Sequence, residues 1–407
     1  MQSSKLYYQI LIVVALGLFT DGYFLYMTSC TEPLIKLSLH LSEFQVGIMQ
    51  SIAPVGAVIG AICSGPLTDK HGRKPMLAID LTLFLVVSIL LFFAHSYSEI
   101  VVERFVIGVG VGVGYPIYAA YLAESTAERE HGNIVAISMF VNVLAMPAVA
   151  VVGYFLYRYF ANDSWRYIFL SAVIPTILCF ISRNKLPESK VWQKLDKSKV
   201  NEGFFSKYAH LFSTEYRLQT IILASCWFIM DISYYGIGLF TTDIVHMFKH
   251  SSGVENNFLN DLYDSAIINS FAALGAFIGI WSIKYFSKKK LQKYGFYLSG
   301  VGLCLLSQHE SISSSGIFLI AAFSLYNIAI NVGPDITTYL LPSESYPPEF
   351  KATGHAFSTA MAKTGAVVGS MGMPIVQSLV GIHGVLLFLG VSLFVAGYVT
   401  NFIKKEN

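Results

Sequence analysis

SIAPVGAVIGAICSGPLTDKHGRKPMLAIDLTLFLVVSILLFF, residues 51–93, decides the fold. Two apolar runs flank a short segment, GPLTDKHGRKP (Gly65–Pro75), in which glycines and charges are concentrated. With its neighbouring residues each run reaches about 20 residues, enough for a helix to cross the roughly 30 Å hydrocarbon core of a bilayer. The runs are continuously apolar, whereas a strand of a membrane barrel would alternate apolar and polar positions. The stretch therefore reads as a pair of transmembrane helices joined by a charged turn.

The same pattern recurs along the chain. Of the 407 residues 54% are hydrophobic and 13% charged, which predicts an all-α integral membrane protein. Twelve spans are expected at approximately 7–29, 43–64, 76–96, 98–123, 133–156, 166–183, 218–241, 262–286, 294–309, 316–341, 354–380 and 384–403. The longest polar stretch, 184–217, divides them into an N-terminal bundle of six (1–183) and a C-terminal bundle of six (218–407). Two such halves with a substrate site between them near the bilayer midplane are one way to build alternating access.

Loop charges set the orientation. With both termini cytoplasmic, about 21 of the 27 Lys and Arg residues fall inside, led by Lys70, Arg73, Lys74, the central loop and Lys288, Lys289, Lys290 and Lys293. The net charge of +2 thus reports topology, not nucleic-acid binding. The N-terminus runs straight into the first span without a small-residue cleavage site, so no cleavage is expected. The five cysteines read as small buried hydrophobes, neither disulfides nor a metal site. Asn162-Asp163-Ser164 matches a glycosylation sequon, a pattern common by chance.

Charges inside the spans carry most of the functional signal. Lys363 in STAMAKTGAVVG and Asp231 in CWFIMDISYYGIGLF lie in apolar surroundings, where one charge costs about 3 kcal/mol on insertion scales. Counting 1.5 Å per residue from the cytoplasmic ends puts Asp21 and Asp231 roughly 20 Å deep, Asn142 and Lys363 about 13 to 15 Å, and Tyr115 and Asp335 about 10 Å. Trp227, Asp231 and Tyr235 are spaced by four and share a helix face. Asn327, Asn331 and Asp335 repeat that spacing, with Gly333-Pro334 breaking the helix before the acid. Both stripes are expected to line a central cavity, with interhelical hydrogen bonding as the other reading of the three asparagines.

The Gly65–Pro75 segment resembles the signature loop of the major facilitator superfamily, in which Asp69 and Arg73 form ion pairs across neighbouring helix ends and Gly72 belongs to the tight turn. RFVIGVGVGVGYP in span 4, with Arg104 and glycines at 108, 110, 112 and 114, reads as a close helix contact. Glu124, Arg129 and Gly132, the WRYIF at Trp165, LPESKVW at Leu186 and PSESYPPEFKATGHA (Pro342–Ala356) resemble the sugar-porter and phosphate-symporter branches. The second-half counterpart of the signature loop, near KYFSKKK, is degenerate, and Glu344 and Lys351 read as gate or loop charges. Spans 7, 10 and 11 are similar to those of the phosphate:proton symporter family. That resemblance implies a substrate site of Tyr115, Asn142, Trp227, Asp231, Tyr235, Asp335 and Lys363, and a proton-path carboxylate at Asp21. The chain departs from the family at Gly114 and Phe24, where acids are expected, and at Asp335, where a neutral amide is expected.

These readings predict a secondary transporter: proton-coupled symport of a small anion by alternating access, inorganic phosphate first. A small organic acid is the alternative and a sugar or polyol porter the third reading. Burial favours a neutral carboxylate and a nearby ammonium a charged one, so Asp231 is the expected proton carrier, with Asp21 as an additional relay and Asp335 as a second titrating group or a substrate hydroxyl acceptor. The energy source is the proton gradient, and no cofactor or metal is implied. The expected partners are the small-molecule substrate, protons and the lipid bilayer; the chain is read as a monomer of the plasma membrane. His-Glu-x-x-His, Gly-x-Ser-x-Gly and Cys/His clusters are absent from the sequence, which argues against an enzyme. A non-transporting receptor of the same fold is the reading from another class.

Overall fold

The computed structural model describes residues 4–184, 186–196, 202–250, 258–308 and 316–404; the side chains of 239–250, 258–269, Glu128, Arg129 and a few scattered positions are excepted. The loop role expected of Arg129 therefore lies outside the described residues. Among the described residues every regular element is helical. Eight helical stretches are long and apolar enough to cross a membrane.

The first half opens with α1 (Ser4–Leu39), α2 (Glu43–His71), α3 (Arg73–Phe93) and α4 (Tyr97–Ser125). Ser42 with Gln45 and Ser96 with Glu99 form capping boxes that satisfy free N–H groups where α2 and α4 begin. α1 runs a full ten residues past the expected end of its span, through Pro33. α2 and α4 touch backbone to backbone: a Cβ at Gly108 or Gly112 would collide with the carbonyl oxygens of Ala53 and Ala57. In a bilayer the attraction between helices is packing, so this contact depends on those two positions having no side chain. α3 shows the lipid side of the same design. Ile79, Val86, Leu90 and Phe93 form one exposed apolar stripe while Leu77, Leu81, Phe84 and Leu91 are buried on the other face.

Two expected spans are broken where the sequence marks no break. The fifth is α5 (Glu128–Val143) and α6 (Ala145–Phe160), separated at Leu144; the sixth is α7 (Ser164–Ser171) and α8 (Val173–Arg183), separated at Ala172. The central segment carries two short helices, α9 (Lys190–Gln193) and α10 (Phe204–Leu211). The second half holds α11 (Arg217–His250), α12 (Phe258–Tyr285), α13 (Lys288–Ser307), α14 (Gly316–Val332) and α15 (Pro334–Glu344). α14 and α15 part at Gly333, where the sequence places its Gly-Pro break, because Pro334 cannot donate to the helix ladder. α16 (Lys351–Val367) passes through a π-turn at Val368–Gly372 into α17 (Met373–Val399), whose Gly381 has φ 71° and bends the chain. Three of the cysteines are buried as expected, while Cys63 is exposed and Cys304 half-buried.

Contacts between the sequence halves run through α2 and α4 on α16 and through α5 and α6 on α12.

Candidate functional site

Lys363, 4% exposed on α16, donates to Asp231 Oδ2 on α11 at 3.0 Å and to the Tyr235 hydroxyl at 3.4 Å. Local sequence makes the approach possible. A Cβ at Gly365 would collide with the Phe228 carbonyl, so α16 lies directly on α11 beside the lysine. The ammonium also sits 5.1 Å from the ring centroids of both Tyr115, on α4, and Tyr235. A cation over two aromatic faces gains about 1 kcal/mol or more from each when shielded from water. One half of the sequence thus supplies Tyr115 to a charge pair held by the other.

Below this pair is an aromatic floor. Tyr115 packs against Trp227 (centroids 6.4 Å) and Tyr339 (5.7 Å), and His355 closes on Tyr339 at 4.8 Å. The Tyr339 hydroxyl donates to the Tyr115 carbonyl at 3.1 Å, joining α15 to α4. His355 lies 3.1 Å from the Tyr339 carbonyl and 3.2 Å from Thr359 Oγ1, so both ring nitrogens are occupied.

α11 and α15 run antiparallel. The Tyr346 hydroxyl reaches Thr220 at 3.0 Å, Trp227 meets Tyr339 with centroids 6.0 Å apart, and Thr338 meets Met230 at 3.4 Å. One turn further on each helix come Asp231 and Asp335, so the two acids share a level. The buried Oδ2 of Asp335 has no hydrogen-bond partner. Asn331, one turn above, donates to the Asn327 carbonyl at 2.8 Å and leaves its own Oδ1 buried without a partner.

Asp21 is fully buried, and neither of its oxygens has a hydrogen-bond partner. It is not alone. A Cβ at Gly114 would lie 3.0 Å from Oδ2 of Asp21 and 3.0 Å from Oδ2 of Asp80, which places the two oxygens at most about 6 Å apart. Asp80 accepts from the Tyr118 hydroxyl at 3.3 Å. Sequence reasoning missed Asp80, although an acid in MLAIDLTLFLVV carries the same signal as Asp231. It supplies a second carboxylate beside Gly114, a position where the resemblance leads one to expect an acid. Tyr26 and Tyr234, with hydroxyls 3.2 Å apart, join α1 to α11 and were also missed. Asn142 Nδ2 donates to the Leu18 carbonyl at 2.6 Å, tying α5 to α1.

The signature loop closes one end of the bundle, about 15 Å along α16 from Lys363. Asp69 accepts from Ala352 N (3.2 Å), Thr353 N (2.9 Å) and the Thr353 hydroxyl (2.7 Å), capping the N-terminus of α16, and pairs with Arg73 at 3.4 Å. Arg73 also pairs with Glu124 and donates to the Thr68 carbonyl at 3.0 Å. Gly72 has φ 98°, and a Cβ there would meet Glu188 and Trp192. Glu188 accepts from the backbone of Arg73 (3.1 Å) and Lys74 (3.0 Å), the free donors opening α3. The second half has its own version despite the degenerate motif, an ion pair of Lys288 with Glu344 at 2.6 Å. Arg104 stands apart from this end, buried on α4 and donating to Thr28 at 2.7 Å.

Residues 14–370 match the Major Facilitator Superfamily. The chain is 25% identical over 93% of its length to "Probable inorganic phosphate transporter 1-6" of Arabidopsis thaliana, covering 87% of that protein. To "Low affinity inorganic phosphate transporter 1" of Petunia hybrida it is 26% identical, with 91% and 83% of the two chains covered. In fold it resembles the proton:xylose symporter XylE of E. coli, at TM-score 0.84, 21% identity and 98% and 96% coverage. The chain belongs to the Major Facilitator Superfamily: it is a multi-span membrane transporter, not an enzyme, related to the phosphate-transporter and sugar-porter branches.

Proposed function

We propose that the protein is a proton-coupled symporter of a small anion, inorganic phosphate first, working by alternating access in the plasma membrane. The observation that carries this reading is Lys363: a lysine buried between the halves, held by one carboxylate at 3.0 Å and faced by tyrosines from both halves. Removing one partner of a buried ion pair costs about 3 to 5 kcal/mol. Lys363 therefore leaves Asp231 only as another anion takes its place, while Asp231 becomes neutral by accepting a proton. Proton and anion then enter together and leave together.

In this account residues 1–183 and 218–407 are two six-helix bundles, twelve spans in all, and 184–217 is the cytoplasmic link, with both termini on the same side. The Asp69 latch on α16 crosses between the halves, holds the cytoplasmic end shut and parts when they rock, while the Arg73–Glu124 and Lys288–Glu344 pairs brace that end within each half. Tyr115, Tyr235 and Trp227 would donate hydrogen bonds to the oxyanion, and Asp21 with Asp80 would pass protons within the first half. The names of the plant relatives support phosphate over an organic acid, and the Lys363 pair supports either over a sugar. The test is uptake of labelled phosphate, a monocarboxylate and glucose into proteoliposomes under an imposed pH gradient. Phosphate uptake that is lost with uncoupler and with Lys363→Ala is expected; glucose alone moving, with Lys363→Ala fully active, would refute the reading.

A further inference from the structure

We propose that His131 is a proton sensor in the seam between the halves: neutral, it helps hold the cytoplasmic end shut, and protonated from an acid cytoplasm it holds that end open. The proposal rests on the orientation and alternating access of the reading above, whichever anion Lys363 holds.

His131 lies in the first turn of α5, just before the expected fifth span, and is 3% exposed. α5 belongs to the first half, yet the ring Nε2 is 3.0 Å from the Ser343 hydroxyl of α15 in the second half, and Nδ1 is 3.1 Å from the Thr126 hydroxyl. The Ser343 hydroxyl gives its hydrogen to the Leu340 carbonyl at 2.6 Å, which assigns the donor to Nε2–H and leaves Nδ1 as the nitrogen that would take up a proton. Two ammoniums of the second half stand beside this contact. Lys351 donates to the carbonyl of Ser343 itself at 3.1 Å, and the Cε of Lys288 lies 3.9 Å from where a Cβ on Gly132, the next residue, would be. The nearby carboxylates are already engaged, Glu344 with Lys288, and Glu124 and Asp69 with Arg73. Further titratable groups toward this end of the packed helices are Glu130 on α5, Tyr7 on α1, Lys284 on α12 and His355 on α16, whose two ring nitrogens are both occupied.

With the end shut, a proton on Nδ1 makes a third cation beside Lys351 and Lys288 in a buried seam, where like charges repel more strongly than in water. Parting the halves hydrates the ring, and an imidazole in water titrates at about 6.5. The open state therefore takes the extra proton below that pH and the closed state does not. Closure is at full strength above about pH 6.5 and weakens as pH falls through it, by up to about tenfold per unit, or about thirtyfold by pH 5. Symport of protons acidifies the interior. A carrier held open to an acid interior does not return outward, so uptake limits itself.

The experiment is pulsed dipolar spectroscopy of the substrate-free protein in nanodiscs from about pH 7.5 to about pH 5, with spin labels in place of His71 and Lys290, exposed on the two halves at this end. With His131 present, the open-to-closed ratio should rise about tenfold or more over that range. His131→Gln keeps an N–H for Ser343 but does not titrate, and its ratio should change less than about threefold; Asp231→Asn should respond as strongly as the protein with both residues intact. A ratio that stays constant with His131 present, or that rises as steeply in His131→Gln, overturns the proposal. Loss of the response in Asp231→Asn also overturns it, because the titrating group is then the ion pair, and that comparison decides even where His131→Gln does not fold. The readout needs no substrate, so its failure leaves the anion reading standing, and failure of phosphate uptake leaves the sensor standing.

Discussion

Asp69→Asn should open the end of the bundle that carries the signature loop. In the closed arrangement Asp69 receives two backbone N–H groups and a hydroxyl of α16 between 2.7 and 3.2 Å, and faces Arg73 at 3.4 Å. Hydrogen bonds to a charged acceptor are each worth about 1.5 to 3 kcal/mol net. Asparagine with its carbonyl oxygen at the Oδ2 position can keep both Thr353 bonds, but it loses the acceptor for Ala352 N–H and all charge toward Arg73 and the α16 terminus. A loss of about 2 to 4 kcal/mol follows, and at 1.4 kcal/mol per tenfold that moves the closed-to-open ratio by roughly thirtyfold to several hundredfold. A closed state favoured by less than this becomes the minor one. Spin labels on α2 and α16 near this end, read by pulsed dipolar spectroscopy in nanodiscs, report the populations directly. The variant should gain a long-distance population, and Thr353→Val, which removes only the 2.7 Å hydroxyl contact, should gain a smaller one. Identical distance distributions for the natural protein and Asp69→Asn would refute the latch.

Three further outcomes follow from individual contacts. Gly112→Leu puts a side chain against the Ala57 carbonyl, so the α2–α4 seam must part; a loss of about 1 to 3 kcal/mol or more should appear as a lower Tm in detergent, whereas Val111→Leu should cost less. Glu188→Gln weakens both bonds to the first turn of α3 and should raise amide exchange at Arg73 and Lys74 about tenfold. Burial holds the Lys207 ammonium on α10 below the usual lysine range, against the pull of Asp69. The undocked helix therefore binds more protons between that lowered value and the ordinary lysine pKa, and docking tightens as pH rises through the window. Protection of 204–211 from exchange should grow as pH rises toward the ordinary lysine pKa, and Lys207→Met should flatten that slope.

The Lys363–Asp231 pair was legible because a charge in an apolar run has few structural uses, and because Trp227, Asp231 and Tyr235 share one helical face. The close α2–α4 contact was legible from spaced glycines, and the α14–α15 break from Gly333-Pro334. Other features depended on partners that no local pattern contains. The Asn142 side-chain N–H reaches the Leu18 carbonyl of α1, a partner 124 positions away in the chain. Asp80 sits in no motif, and only the shared gap at Gly114 links it to Asp21. The breaks at Leu144 and Ala172 have no glycine or proline at the junction itself, and the Lys288–Glu344 pair joins residues 56 positions apart. Spacing within one helix is written in the sequence; the register between helices is not.

The central claim is that Asp231 couples proton to anion through Lys363. Asp231→Asn should be compared with the natural protein in the same proteoliposomes, as labelled-phosphate uptake driven by a pH gradient and as exchange of phosphate across the membrane without one. The account predicts that gradient-driven accumulation is lost at least tenfold while exchange persists, because the lysine still holds the anion but no proton accompanies it. Accumulation of phosphate by Asp231→Asn at the natural rate, still abolished by uncoupler, would contradict the account.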